Sequence, residues 1–354
     1  MLILSIPREV IVKIGEMLPE ERYSRQIRFR PIGAEGQARL GAARVAIVGC
    51  GALGTFQVGA LGRAGVGYLR VIDRDVIEWS NLQRQWLFDE EDAREQRPKA
   101  VAAKGQMGKI NSQVTVEAVN ADVNAGNIED LLDGVDLVLD ATDNFETRFL
   151  LNDFAVEQGV PWIYGAAVGS YGLSFPILPG IGPCLRCVYP EAPQGAQPTC
   201  ETAGVLNAIT SMVAGWQVAL ATKLIVSGAA SLPQKLATFE LWDFEVRQVG
   251  ITVDTGCPCC QGRGFEALNG RSRAPISLCG RNAVQIHERQ AALDLVGLEE
   301  ELKGLGDVRR NEFALRFQPN AQYELTIFPD GRAIIKGTQD VGVARSLYSR
   351  YLGR

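Results

Sequence analysis

The chain is nearly devoid of histidine. Its 354 residues include one, His287. Imidazole is the usual general base near neutral pH, so any Ser-His-Asp or Cys-His catalytic arrangement would depend on this single residue. We therefore expect chemistry that needs no histidine base.

The sequence also lacks a concentration of positive charge. It has 36 lysine and arginine residues against 41 aspartate and glutamate residues, a net charge of −5, and the basic residues are scattered. Polynucleotides and anionic membranes are bound by clustered cations, so a nucleic-acid partner is not expected. The amino terminus shows neither a basic start nor a cleavage site, which favours a cytoplasmic protein over a secreted one.

One long segment without charge is present, residues 202–222. Its length reaches the roughly 20 residues that a membrane span requires, but it contains Asn207, Thr210, Ser211 and Gln217. Polar groups of this number are unfavourable in lipid. We interpret the segment as a buried helix near a subunit interface and expect no membrane insertion.

Cysteine, in contrast, is frequent, with eight residues. Where no secretory signal is seen, paired cysteines favour metal binding over disulfides. Two CxxC pairs are separated by 69 residues, Cys184 with Cys187 and Cys257 with Cys260. Zn²⁺ takes four soft ligands in a tetrahedron, so these four thiolates predict a closed, structural zinc site. We choose Cys260 over Cys259 because the CxxC spacing lets both sulfurs of a pair reach one ion.

A glycine-rich turn carries the main signal for a nucleotide. A short apolar run, Val45 to Val48, predicts a buried strand that leads into Gly49-x-Gly51-x-x-Gly54 and a helical pattern. These glycines allow a tight turn, a close approach of backbone to phosphate, and packing of helix on strand, in that order. A second predicted strand ends at Asp73, where a carboxylate can hold ribose hydroxyls.

The residues that follow Asp73 favour a triphosphate. Asn81, Arg84 and Lys99 place an amide and two cations within one short segment. An NAD-dependent oxidoreductase, the alternative interpretation of the glycine turn, has no need of these groups after its ribose acid. It would also need an acid–base group for hydride transfer, for which no local motif is seen.

In combination, these motifs resemble the ThiF, MoeB and HesA family, the bacterial relatives of ubiquitin-activating enzymes. The matching stretches are RYSRQ from Arg22, GCGALG, DRDVIEWSNLQRQ, RPK, LDATDN from Leu139, and the two CxxC pairs. They run from about residue 21 to 262. The last ninety or so residues lie outside the resemblance.

The resemblance implies ATP-dependent transfer of AMP to a carboxylate, with release of pyrophosphate. The nucleophile is already an anion, so no general base is required. Arg84 and Lys99 would neutralise phosphate charge, and Asn81 would position phosphate. Asp73 would hold ribose, and Asp143, predicted at the end of a strand, would hold Mg²⁺.

The resemblance also assigns roles to Arg25 and Cys200. The second arginine of RYSRQ, Arg25, would reach into the ATP site of a partner subunit, which implies a homodimer. Cys200 lies in a proline-rich loop in which family members that pass on the activated carboxylate often have a cysteine. A covalent role for Cys200 is left open, because some relatives keep a cysteine here without an essential role.

The substrate implied by the resemblance is the C-terminal Gly-Gly carboxylate of a small ubiquitin-like sulfur-carrier protein, of the molybdopterin or thiamin type. One alternative is another carboxylate, on a peptide or a modified tRNA nucleoside. A second alternative is a non-catalytic scaffold subunit, although such subunits usually lose the ATP-binding residues that are present here.

The alternation of predicted strands and helices indicates an α/β fold, with a Rossmann-like doubly wound sheet that continues into antiparallel strands. We expect an adenylyltransferase domain over residues 1–264, including an N-terminal amphipathic helix at 7–18, then a linker at 265–275. A small α+β domain of unknown role follows at 276–354. The predicted later elements are strands at 237–244, 276–286 and 311–317, a helix at 291–303, a hairpin at 325–335 and a final helix at 341–351.

Overall fold

The computed structural model describes residues 19–191, 202–270, 276–278, 282–286, 293–311 and 313–353. The predicted amphipathic helix at 7–18, the loop residue Cys200 and residues 271–275 of the expected linker fall outside these residues, as does His287.

An eight-stranded sheet forms the larger unit. Its strands are β1 Arg44–Val48, β2 Tyr68–Ile72, β3 Thr115–Val119, β4 Leu137–Asp140, β5 Trp162–Val168, β6 Tyr171–Ile177, β7 Lys235–Glu240 and β8 Glu245–Gly250. They lie in the order β3-β2-β1-β4-β5-β6-β7-β8. The first five are parallel and the last three are antiparallel, so the predicted fold class is confirmed.

Helices cover both faces of this sheet. They are α1 Pro19–Arg22, α2 Ser24–Ile27, α3 Gly33–Ala42, α4 Ala52–Ala64, α5 Glu90–Arg94, α6 Lys99–Ile110, α7 Ile128–Leu131, α8 Phe145–Gln158, α9 Leu185–Val188 and α10 Asn207–Ser227. Strand β1 shows why two layers are needed, because its side chains alternate between them. Val45 and Ile47 belong to the core on one face, and Ala46 and Val48 to the core on the other.

The topology places a crevice at the carboxyl end of β1. This strand pairs with β2 on one side and with β4 on the other. Strands β2 and β3 extend the sheet to one side of β1, and the chain then crosses to β4 on its other side. Ligands of doubly wound sheets bind outside the strand ends at such a switch point. The glycine turn follows β1, Asp73 follows β2 and Asp143 lies beyond β4, so all three lie at this edge.

Helix α10 corresponds to the predicted apolar segment, but it is displaced toward the carboxyl end and includes Lys223. Among the described residues it is the one helix long and apolar enough to cross a membrane, with a mean hydropathy of 1.4 and half of that window buried. It packs against α4 and β5. Its buried Gln217 donates to the carbonyls of Asp140 and Ile163 at 2.8 and 2.9 Å, which is the behaviour of a core helix.

The C-terminal part contains a second, antiparallel sheet. Its strands are β9 Ile276–Leu278, β10 Ala283–Ile286, β11 Asp307–Arg310, β12 Leu315–Gln318, β13 Glu324–Ile327 and β14 Ala333–Lys336, in the order β11-β12-β13-β14-β10-β9. Helices α11 Leu295–Leu302 and α12 Val341–Leu352 complete a separate apolar core. The expected α+β character is therefore confirmed.

Several element boundaries were predicted wrongly. The strand expected at 237–244 ends at Glu240 and the chain turns back through Phe244, with φ +58°, into β8. Neither β8 nor β11 was predicted, because β8 is exposed on both faces and β11 is mostly charged. The stretch at 276–286 is two short strands paired with each other.

The division into domains stays a proposal. The segment expected to begin a linker packs on the first unit, since Phe265 is buried there. The amide of Ala267 donates to Asp153 at 2.9 Å. We propose that the first unit extends to about residue 270.

Candidate functional site

The turn between β1 and α4 is built for close backbone packing. Gly49 has φ +93°, and a Cβ there would lie 2.4 Å from the carbonyl oxygen of Ala141. A Cβ on Gly54 would lie 2.1 Å from the carbonyl oxygen of Gly49. Gly51 differs, since its Cβ would meet only Gln85, at 3.9 Å. Two of the glycines are therefore required by the fold, and Gly51 leaves the backbone ahead of α4 open to a phosphate.

Asp73 connects the ends of β1 and β2. Its carboxylate accepts the amide of Cys50 and the amide of Asp75, each at 2.6 Å. Burial raises the pKa of the Asp73 carboxyl, and the charge of Lys99 opposes the rise. A carboxylate offers about four lone-pair sites. Asp73 therefore stabilises its own turn and retains acceptor capacity for ribose hydroxyls.

Lys99 is the first residue of α6 and is 3% exposed. Its Nζ lies 3.2 Å from a carboxylate oxygen of Asp75, and its amide donates to the carbonyl of Asp75 at 3.0 Å. The lysine is thereby held beside the glycine turn, where its charge faces Asp73. Asp75 was not predicted as a site residue, although the DRD motif contains it.

Asn81 ends a short 3-10 turn, Trp79–Asn81, and Arg84 follows it, with its amide donating to the carbonyl of Asn81 at 3.1 Å. The side-chain oxygen of Asn81, which is buried, accepts the amide of Glu78 at 3.0 Å. Arg84 is partly exposed, and its guanidinium donates to the carbonyl of Ser80 at 2.8 Å. Asn81 is thus fixed by its own turn, whereas Arg84 is held by a single local bond that a phosphate can replace.

Asp143 lies in the loop between β4 and α8 and is exposed. Although burial lowers the pKa of Arg74, the carboxylates of Asp122, Asp75 and Asp143 raise it. One carboxylate oxygen of Asp143 accepts from the side-chain amide of Asn144 at 3.5 Å. Carboxylate oxygens suit a hard cation such as Mg²⁺, and the role of Asp143 as its ligand stays a prediction.

A buried ion pair lies beneath this loop and was not predicted. Asp140, which is fully buried, accepts the amide and the hydroxyl of Thr142 at 2.8 and 2.7 Å. It lies 3.2 Å from the guanidinium of Arg148. Burial raises the pKa of the Asp140 carboxyl, and Arg148 opposes the rise. The pair fixes the base of the loop that carries Asp143.

Arg25 lies far from this group within one chain. It is exposed on α2, beside Tyr23, whose hydroxyl accepts from Asn111 at 2.8 Å, and Gln26, which donates to the carbonyl of Ala64 at 2.8 Å. Ala64 and Asn111 precede β2 and β3, so α2 lies at the amino end of the parallel strands. The glycine turn is at the other end, about 15 Å away for a strand of this length.

The four predicted zinc ligands come together. The sulfurs of Cys184 and Cys257 lie 3.6 Å apart, those of Cys187 and Cys260 also 3.6 Å apart, and all four lie within 4.8 Å of one another. A tetrahedron with Zn–S bonds of about 2.3 Å has edges of about 3.8 Å. The four thiols therefore fit a zinc ion.

Cys259 is engaged elsewhere. It is fully buried, its thiol donates to Asp153 at 3.5 Å, and its sulfur accepts from Asn152 at 3.3 Å. Asn152 and Asp153 lie on α8, so this cysteine anchors the second CxxC segment to that helix instead of joining the group of four.

A doubly wound sheet with a glycine turn, an enclosed lysine and carboxylates at its switch point defines a nucleotide-binding α/β protein. More specifically, the chain belongs to the ThiF family, whose model matches residues 23–259. The resemblance inferred from the motifs is confirmed.

Three relatives support membership in the ThiF family. The sulfur carrier protein ThiS adenylyltransferase of Bacillus subtilis strain 168 is 43% identical over 338 residues, covering 94% of this chain and 99% of the relative. The SAMP-activating enzyme E1 of Haloferax volcanii is 39% identical, covering 70% and 91%. The sulfur carrier protein adenylyltransferase of Thermus thermophilus is 37% identical, covering 68% and 90%.

The Bacillus relative changes one expectation. A match over 94% of the chain reaches well into the last ninety residues, which we expected to lie outside any resemblance. The sequence similarity to that relative therefore includes most of the C-terminal part of this chain.

Among solved structures, Escherichia coli MccB with ATP is similar, with a TM-score of 0.59 and 23% identity, covering 68% of this chain and 74% of the other. This likeness shows the fold alone.

Proposed function

We propose that this chain is an adenylyltransferase that uses ATP to adenylate the C-terminal carboxylate of a ubiquitin-like sulfur-carrier protein. The observation that carries the proposal is the 43% identity, over nearly the whole of both chains, to a ThiS adenylyltransferase. The carrier is preferred over a peptide or a tRNA nucleoside because two relatives are named as adenylyltransferases of sulfur carrier proteins.

The reaction makes and breaks one bond at phosphorus. An oxygen of the carrier carboxylate bonds to the α-phosphorus of ATP, the bond from that phosphorus to the oxygen bridging to the β-phosphate breaks, and pyrophosphate leaves with the electron pair. No proton is transferred to or from the nucleophile. The scarcity of histidine therefore presents no difficulty.

The residues at the switch point supply orientation and charge. Asp73 holds the ribose, the open backbone at Gly51 receives phosphate, and Lys99 and Arg84 neutralise the charge that develops on the leaving pyrophosphate. Mg²⁺, which Asp143 would hold, neutralises further phosphate charge when it is bound. Asn81 fixes the turn that presents Arg84.

Four further features belong to the proposal. The carrier ends in Gly-Gly, so that its tail is narrow enough to enter the crevice. The enzyme acts as a homodimer, because Arg25 lies at the wrong edge of its own sheet and reaches a nucleotide only from a second copy. A zinc ion held by the four cysteines joins the α9 segment to the second CxxC segment, and the protein works in the cytoplasm.

The test is ATP–pyrophosphate exchange with the purified full chain, Mg-ATP and a ThiS-type carrier ending in Gly-Gly. We expect exchange that depends on the carrier and is lost when its last glycine is removed. A thermal-shift series with Mg-ATP and NADH is run in parallel, and only Mg-ATP should stabilise the protein. Absence of exchange with every Gly-Gly carrier from the same genome would refute the substrate assignment.

A further inference from the structure

The C-terminal sheet touches the first sheet next to the nucleotide site. Arg332, which immediately precedes β14, is fully buried. Its guanidinium donates to the backbone carbonyl of Arg74 at 2.9 Å and lies 3.9 Å from the centre of the Phe328 ring. Arg74 directly follows Asp73. A cation of the C-terminal unit is therefore bonded to the residue beside the proposed ribose ligand.

Other contacts hold the same segment, residues 74–78. Lys336 Nζ lies 2.6 Å from a carboxylate oxygen of Glu78. Val76 packs against the apolar cluster that includes Phe328 and Ile334. The segment thus meets the C-terminal unit through a buried bond, an ion pair and an apolar contact.

Asp122, after β3, reinforces the junction. One of its carboxylate oxygens accepts from Arg74 at 2.7 Å and the other from Gln285 of β10 at 2.7 Å. The carboxylate that binds the side chain of Arg74 is therefore itself bonded to the C-terminal unit.

The segment is also paired with the stretch that carries the phosphate lysine. The amide of Ile77 donates to the carbonyl of Arg97 at 3.0 Å, and the amide of Lys99 to that of Asp75 at 3.0 Å. The ion pair between Lys99 and Asp75, at 3.2 Å, adds a third contact. A displacement of residues 74–78 would therefore move both Asp73 and Lys99.

Burial of the charged Arg332 side chain does not by itself favour the stability of the fold. Its Nε lies 3.5 Å from Asp330, and within the described part of the chain neither its Nε nor its second Nη makes a hydrogen bond. Burial lowers its pKa, which the carboxylates of Asp330 and Asp122 oppose. A buried cation with unpaired donors carries a desolvation cost that one hydrogen bond offsets only in part. Departures of this kind from ideal packing occur at functional sites.

We propose that Arg332 is a positioning residue for the nucleotide, and that the C-terminal unit acts through it to set the segment that carries Asp73 and the partner of Lys99. The proposal rests on the proposed function insofar as the site holds ATP. It gives the C-terminal unit, whose role the motifs left open, a part in ATP affinity.

The test compares the native full chain with Arg332→Met, which keeps the length of the side chain and removes its charge and donors. The dissociation constant of Mg-ATP, from calorimetric titration without carrier, should rise about 5- to 50-fold, the usual range for coupling between sites. The variant should remain folded at the assay temperature, which its melting curve checks. In carrier-dependent exchange, KM for ATP should rise by the same factor while KM for the carrier stays unchanged, and Arg332→Lys should recover part of the affinity.

The matched control is Arg309→Met on β11, whose exposed side chain pairs only locally with Asp307 at 3.3 Å, and it should bind ATP as the native chain does. Should Arg332→Met fail to fold, Lys336→Met decides instead, with an expected loss of about threefold to tenfold in ATP affinity. Native affinity in the folded variant refutes the proposal. If the unaltered chain binds ATP but shows no carrier-dependent exchange, the proposed substrate is refuted instead. The two failures can therefore be told apart.

Discussion

Lys99 places an almost fully buried ammonium beside Asp73 and Asp75. At the scale of single residues, we predict that Lys99→Met lowers the rate of carrier-dependent exchange by about 10²- to 10³-fold, because a preorganised charge is lost from the leaving pyrophosphate. Lys109→Met, in the last turn of the same helix and exposed, is the control and should exchange at the native rate. A rate within about threefold of native for Lys99→Met would contradict the role.

Asp143 provides the second test at this scale. Asp143→Asn keeps the shape of the side chain and removes the charge that attracts a divalent cation. We expect a fall of about 10²-fold in exchange at low Mg²⁺, partly recovered by excess Mg²⁺. Asp133→Asn, also exposed, should not alter the Mg²⁺ dependence. Identical Mg²⁺ titrations for Asp143→Asn and the native chain would remove Asp143 from the metal site.

Individual residues also show which contacts could be predicted from the sequence and which could not. Gly49 and Asp73 follow from motif spacing alone, and the structure gives each a contact that explains it. Arg148 and Arg332 carry no local signal, because their partners lie on other elements. Pairs between different elements, such as Arg148 with Asp140 and Arg332 with Arg74, become visible only when the fold brings the elements together.

Among the elements, the buried ones were predictable and the exposed ones were not. Strand β1 has an apolar run and was predicted from Val45, one residue after its observed start at Arg44, and the end predicted for β2 lies one residue beyond the observed Ile72. Strand β8 is exposed throughout. A strand that buries neither face shows no alternation of apolar and polar residues by which its sequence could be recognised. The same reason accounts for β11.

The zinc site predicted at the two cysteine pairs can be tested directly. We predict about one zinc per chain by elemental analysis, and its loss, with a lower melting temperature, in Cys257→Ser, since a closed site contributes folding free energy. Cys259→Ser should retain zinc, because its sulfur faces Asn152 and Asp153. Loss of zinc from Cys259→Ser together with retention in Cys260→Ser would reverse the ligand choice.

At the scale of the whole molecule, the position of Arg25 makes a prediction about assembly. Its helix lies at the amino end of the parallel strands, whereas Lys99 lies at the carboxyl end, so one chain cannot supply both to one nucleotide. Arg25→Ala and Lys99→Met should each be inactive when expressed alone. In a mixed dimer, the site that keeps Lys99 receives Arg25 from its partner, and the other site has neither.

Co-expression of the two inactive chains should therefore restore exchange. With random pairing, half of the dimers are mixed and half of their sites are complete, so the activity should reach about a quarter of the native value. Isolating mixed dimers through two different affinity tags should raise this to about a half. If Arg25 acted within its own chain, each site of the mixed dimer would lack one residue and no activity would return, so the restored fraction distinguishes the two arrangements directly.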